Sequence, residues 1–122
     1  MADRRPADYA RIGLASIRLL NGAAALIVPG FLARNIGVDP DTQPGINYVF
    51  RMFGVRTVLI GVDLLAPPGA RRDAAVRSAM VIHASDTLAA WLATRSGLFP
   101  KQGRVIVAIS AFNTLLAIVA NR

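Results

Sequence analysis

The apolar residues of this chain fall into four long blocks separated by turn-forming residues. The blocks cover residues 12–32, 46–66, 74–94 and 104–120, so each has about 17 to 21 residues. A helix of this length crosses the roughly 30 Å of hydrocarbon in a lipid bilayer. Strands usually have only about 5–6 residues, and the abundant Leu and Ala favour helix. The blocks therefore predict an all-α chain and leave two alternatives, a soluble or a membrane four-helix bundle.

The placement of charge within the blocks favours the membrane bundle. A soluble bundle needs a polar face on every helix. Residues 105–120 contain no charged residue, and Arg18 is the only charge between Ile12 and Phe31. We therefore predict one domain, an antiparallel up-and-down transmembrane bundle in contact with the lipid bilayer. Its helices are expected at about residues 10–32, 46–66, 74–94 and 104–120.

The basic residues predict the orientation of the bundle. The chain has 14 Lys and Arg against 7 acidic residues, a net charge of +7. The positive-inside rule places the more basic side, which holds both termini, in the cytoplasm. That side carries Arg4, Arg5, Arg11, Arg71, Arg72, Arg77 and Arg122, whereas the other carries Arg34, Arg95, Lys101, Arg104 and, at its edge, Arg51. The polar residues 1–10 do not look like a signal peptide, so we expect them to be retained.

The composition of the chain and the motifs that it lacks exclude several function classes. The chain has no Cys, which excludes a disulfide scaffold, a thiolate zinc site and a cysteine nucleophile, and its single His is too few for a metal site. It contains no phosphate-binding glycine loop and no G-x-S-x-G nucleophile motif. Its arginines are not interleaved with aromatic residues, and they match anionic lipid headgroups better than nucleic acid. We predict a non-enzyme without cofactor or metal that binds no nucleic acid.

Polar side chains within the blocks are predicted to meet at one depth. The centres of the four blocks fall near Asn21, Arg56, Ala84 and Asn113. Ionisable residues in membrane spans usually face the bundle interior or a wet cavity. The predicted cluster contains Arg18, Asn21, Arg56, Asp63, His83, Asp86 and Asn113.

Within this cluster, Arg56 and Asp86 are expected to form the central ion pair, with His83 and Asn113 as hydrogen-bond partners. Arg18 is expected to pair with Asp63 or Asp86, whichever remains available. Three interpretations stay open. The cluster is a structural clasp that fixes helix register, or a proton or substrate site with an aspartate as titrating group and His83 as relay, or a surface buried against a partner subunit.

Two glycines mark a second face on the helix predicted at residues 46–66. Gly54 and Gly61 are seven residues apart and lie about 200° around the helix from Arg56 at 100° per residue. Small residues let helices approach closely. We therefore expect this face to pack against another helix, within the chain or in a dimer.

The segment from residue 51 to residue 63 resembles the second-helix signature of a family of small bacterial four-helix integral membrane proteins grouped under domains of unknown function. The pattern consists of Arg51, Gly54, Arg56, Leu59, Gly61 and Asp63. Thr57 stands where Asp is common in that group. Further points of similarity are Gly22, Pro29, the segment 31–34, Gly37 and Asp86. The resemblance implies a multi-pass protein of the bacterial inner membrane, and it brings no activity with it.

Two classes of function follow from these predictions. The leading one is an accessory or assembly subunit of a larger membrane complex, which acts through its helix faces on other membrane subunits or on further copies of itself. The alternative is a small oligomeric proton-coupled transporter or a membrane protein that binds a small molecule. A soluble ligand-binding bundle is the third possibility, and it requires a protein that partitions into water without detergent.

Overall fold

Helices account for most of the chain in the computed structural model, which describes residues 4–97 and 101–122. They are α1 (Arg4–Ile27), α2 (Pro29–Asn35), α3 (Gly45–Leu64), α4 (Ala70–Arg95) and α5 (Gly103–Ala120). No strand occurs in the described ranges. The all-α class is therefore confirmed, with five helices in place of the four that were predicted.

The additional helix arises because the first apolar block breaks at Val28. The backbone of Val28 is not helical (φ −130°, ψ 57°), and Pro29 follows it in the first turn of α2. Proline has no N–H to continue the preceding helix, but its fixed φ suits the start of a new one. The helix predicted over residues 10–32 is thus two helices, and the first of them already begins at Arg4.

Close glycine contacts show that α1 and α3 run antiparallel. A Cβ atom on Gly54 would lie 2.8 Å from the carbonyl oxygen of Gly22, and one on Gly61 would lie 2.9 Å from Cγ of Leu19. Later residues of α3 therefore meet earlier residues of α1. Because glycine has no side chain, α1 can approach α3 this closely at Gly54 and Gly61. The glycine face of α3 is therefore buried against α1.

The other two long helices, α4 and α5, also form an antiparallel pair. The hydroxyls of Thr87 and Thr114 are 3.2 Å apart, whereas Thr94, about two turns further along α4, meets Gly103 at the start of α5. The chain thus consists of two helical hairpins, α1/α3 and α4/α5. They join mainly through α1 and α5, and α3 packs only lightly on α4.

The two hairpins assemble into an up-and-down bundle whose described terminal residues lie at the same end. Asp8 contacts Arg72, and Arg18 contacts His83, so α1 and α4 run in the same direction. Residues 7–11, 68–77 and 120–122 contribute to a cleft of about 640 Å³ at this end. An apolar core lies between the same helices and contains Leu14, Ala15, Leu64, Ala75, Val76, Ala79 and Ala117.

Two segments of the described chain are long and apolar enough to cross a membrane, Pro6–Ile27 in α1 and Gly103–Ala120 in α5. The intervening helices are more highly charged. α3 contains Arg51, Arg56 and Asp63, and α4 carries several charged residues along its length. The structure therefore supports membrane-crossing potential for two helices by length and composition, and a four-span arrangement is a proposal.

Candidate functional site: a polar cavity between the long helices

Each of the four long helices contributes one buried polar side chain to the centre of the bundle. They are Arg18 on α1, Thr57 on α3, His83 on α4 and Asn113 on α5, and they are between 2% and 8% exposed. Each lies on the face of its helix that packs inward, as Arg18 does one turn after the fully buried Leu14. The packing of the four long helices therefore brings these four polar side chains together.

These groups line a cavity of about 150 Å³. The cavity lies between α1, α3, α4 and α5, and all four helices contribute to its wall. Its lining residues are Ile17, Arg18, Asn21, Phe53, Thr57, His83, Asp86, Ile109, Ser110 and Asn113. Five of the seven residues predicted to converge are among them, namely Arg18, Asn21, His83, Asp86 and Asn113.

A hydrogen bond between α1 and α4 organises the wall of the cavity. The Nε–H of Arg18 donates to Nε2 of His83 over 3.1 Å. Because an arginine nitrogen can only donate, Nε2 of His83 must accept, and the ring proton sits on Nδ1. That nitrogen lies 3.9 Å from Oδ2 of Asp86. Arg18 and Asp86 therefore occupy opposite sides of one imidazole ring, and Asp86, whose side chain is 48% exposed, is the more accessible of the two.

Two buried polar atoms on this wall have no hydrogen-bond partner. They are Nη2 of Arg18 and Oδ1 of Asn113. An unsatisfied buried donor or acceptor costs about 1–3 kcal/mol, and more when the group is charged. One of these atoms is a donor and the other an acceptor. Arg18 and Asn113 therefore each carry one fully buried polar atom that no described residue satisfies.

Arg56, the predicted partner of Asp86, lies elsewhere. Its side chain is exposed, and it forms no ion pair with any described residue. Arg56 points outward because Gly54 and Gly61, on the other side of α3, are buried against α1. Thr57, the next residue, is rotated by about 100° and enters the cavity instead. The sequence does contain a signal for Thr57, because it is three residues after Gly54 and four before Gly61.

Asp63, the other predicted cluster member on α3, is also absent from the cavity. It lies at the end of α3 and forms an ion pair with Arg71, near the start of α4. The pair joins two helix ends across the connection at residues 65–69, so neither Arg18 nor the cavity is involved. Ser110, which does line the cavity, shares the stripe of Asn113 on α5, since the two are three residues apart.

The cleft at the terminal end has a different character. Arg11 spans part of it, donating from Nη1 to the carbonyl oxygen of Leu64 at the end of α3 over 2.7 Å. Basic side chains often satisfy the last carbonyls of a helix in this way. Its Nη2 also lies 3.4 Å from Asp8. Arg11, on the wall of this cleft, thus links the ends of α1 and α3, and no set of three or more His, Asp or Glu side chains in the described ranges is arranged for a metal ion.

The chain matches no model of a known protein family. It has no match among curated proteins and none among solved structures. The fold and the two features of its interior and surface, the polar cavity and the outward Arg56, are therefore the basis for assigning a function.

Proposed function

We propose that this chain is a multi-pass integral protein of the bacterial inner membrane and acts as an accessory or assembly subunit of a larger membrane complex. The observation that carries the proposal is Arg56, a charged residue exposed near the middle of α3 among apolar neighbours. The interior polar cavity is not needed for this role, in which α3 provides the docking face.

The surface of the bundle supports a lipid environment. Large apolar side chains are exposed on all four long helices, including Leu20 (73%), Leu59 (59%), Val81 (70%) and Leu115 (60%). Soluble monomers rarely expose contiguous apolar patches of more than a few hundred Å². The long helices have 18 to 26 residues, or about 27–39 Å at 1.5 Å per residue. These lengths suit a bilayer.

Aromatic residues near the two ends of the bundle fit the two membrane interfaces. Exposed Tyr9 lies at the terminal end, and exposed Tyr48 and Trp91 lie towards the opposite end. Arg95 stacks over the ring of Trp91, 5.3 Å from its centroid. Aromatic belts of this kind mark headgroup levels. The larger number of arginines near the terminal end favours a cytoplasmic location for both termini.

Arg56 requires a partner in this setting. It is the twelfth residue of the 20-residue α3. Met52, Phe53 and Leu59, its neighbours three or four positions away, are exposed by 39%, 41% and 59%. An arginine at the centre of a membrane helix costs about 2.5–3.5 kcal/mol on insertion scales. Because no described acidic residue pairs with it, an acid from another subunit is the complement that removes this cost.

The charge of α3 identifies the chemistry of that partner. The helix has one acidic residue, Asp63, which Arg71 already neutralises. The outward face around Arg56 is therefore positive and otherwise apolar. We assign to it a transmembrane helix of a different protein that carries an Asp or Glu at the same depth and an apolar surface around it.

The first test is membrane insertion. The full chain is expected to stay with the membrane fraction after an alkaline carbonate wash and to require detergent for extraction. A chain that partitions into water without detergent overturns the membrane assignment and favours the soluble ligand-binding bundle.

The second test addresses Arg56 directly. Purification in a mild detergent is expected to yield a companion protein at fixed stoichiometry. Arg56→Leu should release the companion, whereas Arg56→Lys should retain part of it because the charge is kept. Arg77→Leu is the matched control, since Arg77 is an exposed arginine on α4 near the terminal end.

Three results decide the outcome of this test. Replacing one membrane Asp or Glu of the companion with its amide should give the same loss as Arg56→Leu. A monodisperse homo-oligomer without a companion overturns the accessory role. Retention of the companion by Arg56→Leu shows that the docking face lies elsewhere and overturns the role assigned to α3.

A further inference from the structure

The cleft at the terminal end of the bundle collects more positive than negative charge. It has a volume of about 640 Å³ and lies between the described ends of α1, α4 and α5. Four arginine side chains against two aspartates give its lining a formal charge of +2. They are Arg11, Arg72, Arg77 and Arg122, with Asp8 and Asp73. A cleft with one sign of charge in excess concentrates counter-ions, so this one favours an anion from outside the chain.

The carboxylate of Asp8 is shared by two of these arginines. Its Oδ1 lies 3.4 Å from Nη2 of Arg11 and 3.7 Å from Nη2 of Arg72. Arg11 also donates to the carbonyl oxygen of Leu64. One carboxylate therefore serves two guanidinium groups, and positive charge remains in excess on this wall of the cleft.

Arg77 and Arg122 are the accessible arginines of the cleft. Both are exposed, and neither forms an ion pair with a described residue. Asp73, one turn before Arg77 in α4, is exposed as well. A planar guanidinium donates two parallel hydrogen bonds to the oxygens of a phosphate or a carboxylate. The two accessible arginines therefore suit the cleft to an anion, whereas Asp73 weakens the attraction.

The position of the cleft indicates where that anion comes from. Both segments that are long and apolar enough to cross a membrane have one end here, since one begins at Pro6 and the other ends at Ala120. Exposed Tyr9 lies at the same end. In the membrane location proposed above, the cleft is therefore at the level of the lipid headgroups. Basic pockets between helices on the cytoplasmic side of a membrane bind anionic headgroups.

We infer that this cleft binds the headgroup of one anionic phospholipid, whose phosphodiester is neutralised chiefly by Arg77 and Arg122. The inference rests on the proposed membrane location, but it does not depend on the companion protein or on Arg56. With about 30 Å³ for each water-sized group, the cleft has room for about twenty of them. This space exceeds what a phosphate and a glycerol require.

The test is native mass spectrometry of the full chain in detergent, titrated with dioleoyl phosphatidylglycerol or with dioleoyl phosphatidylethanolamine. The two lipids share their acyl chains and a phosphodiester, and they differ in the net charge of the headgroup. Phosphatidylglycerol is expected to bind at one copy per chain and at least about tenfold more tightly than phosphatidylethanolamine. Equal binding of the two lipids overturns the site.

Four substitutions of exposed residues locate the binding. Arg77→Gln and Arg122→Gln should each weaken the binding of phosphatidylglycerol about fivefold. Asp73→Asn should tighten it, because it removes a negative charge from the cleft. Arg71→Gln is the matched control, since Arg71 is at the same end of α4 but pairs with Asp63 and does not line the cleft. An equal loss in the control would show a generally basic surface and overturn the cleft as the site.

A competition experiment separates the lipid from a free phosphate. Inorganic phosphate and glycerol 3-phosphate at millimolar concentrations are expected to leave phosphatidylglycerol bound, because they lack the acyl chains that contact the apolar surface. Displacement by either compound overturns the assignment to a lipid.

The site and the proposed function fail in different ways. A chain that the carbonate wash releases from the membrane overturns the membrane location and this site with it. A chain that resists the wash but does not prefer phosphatidylglycerol overturns the site alone. Arg56→Leu, which should release the companion protein, should retain phosphatidylglycerol, and loss of the lipid in this variant would overturn the independence of the two sites.

Discussion

The contact between Gly54 and Gly22 provides a stringent test of the way α1 and α3 pack. We consider Gly54→Ala, which adds one methyl group. Its Cβ would lie 2.8 Å from the carbonyl oxygen of Gly22, 2.9 Å from Cγ of Leu26 and 3.1 Å from Cβ of Ala25. Leu26 can change its side-chain conformation, but the Gly22 oxygen belongs to the backbone of α1. The two helices must therefore move apart by a few tenths of an ångström.

The magnitude follows from a comparison with Gly13→Ala. Gly13 also lies inside a helix, and a Cβ there would meet nothing within 4 Å. Both substitutions gain about 1 kcal/mol of helix propensity, so this gain cancels between them. Overpacking of a close contact costs about 1–3 kcal/mol. Gly54→Ala should therefore be less stable than Gly13→Ala by about 1–3 kcal/mol, or roughly 5- to 150-fold in the unfolding constant.

The assay is equilibrium unfolding of the two variants and the parent chain in mixed micelles of dodecyl maltoside and sodium dodecyl sulfate, followed by circular dichroism. Gly13→Ala is expected to be as stable as the parent or slightly more stable. Equal stability of the two variants would refute the close approach of α1 and α3. It would also remove the explanation given for the outward position of Arg56, which depends on this interface.

Three further substitutions can be measured in the same unfolding assay. His83→Leu removes the acceptor of the Arg18 Nε–H and should lower the free energy of unfolding by about 1.5–3 kcal/mol. His83→Gln keeps an acceptor and should lower it less. Equal losses in the two variants would contradict the hydrogen bond. Asp63→Asn breaks an exposed pair with Arg71 and should change stability by less than about 1 kcal/mol; a larger loss would mean that Asp63 is buried. Gly97 has φ +82° in open space, so Gly97→Ala should cost about 1–2 kcal/mol through the backbone alone and Gly97→Asn less; no difference between them would argue against this conformation.

The helices could be predicted from the sequence to the extent that they depend on local signals. Apolar blocks and turn residues placed α3, α4 and α5, because these signals act over neighbouring residues. The break at Val28 could not be predicted from the apolar pattern, because the apolar block continues across Pro29 and α2 has only seven residues. The pattern therefore predicted the all-α class but not the number of helices, and two segments of the described chain are apolar and long enough to cross a membrane.

The site was harder to predict because it depends on which face of α3 turns inward. Arg18, His83 and Asn113 follow from their depth and from the inward stripes of their helices. For α3 the sequence offered a charged face and a glycine face, and charge alone favoured Arg56. The close approach to α1 selects the glycine face, so Thr57 enters the cavity. That choice depends on contacts between α1 and α3, which residue spacing within one helix does not contain.

The hydrogen bond between Arg18 and His83 can form only after both α1 and α4 have been synthesised. Its two residues are 65 positions apart in sequence. At translation rates of about 5–20 residues per second, His83 is made about 3–13 s after Arg18. During that interval the guanidinium of α1 has no acceptor from α4. In the proposed membrane location, the newly made first helix is therefore expected to stay near the polar surface of the bilayer or beside an insertion factor, and to reach its full depth only when the second hairpin has been made.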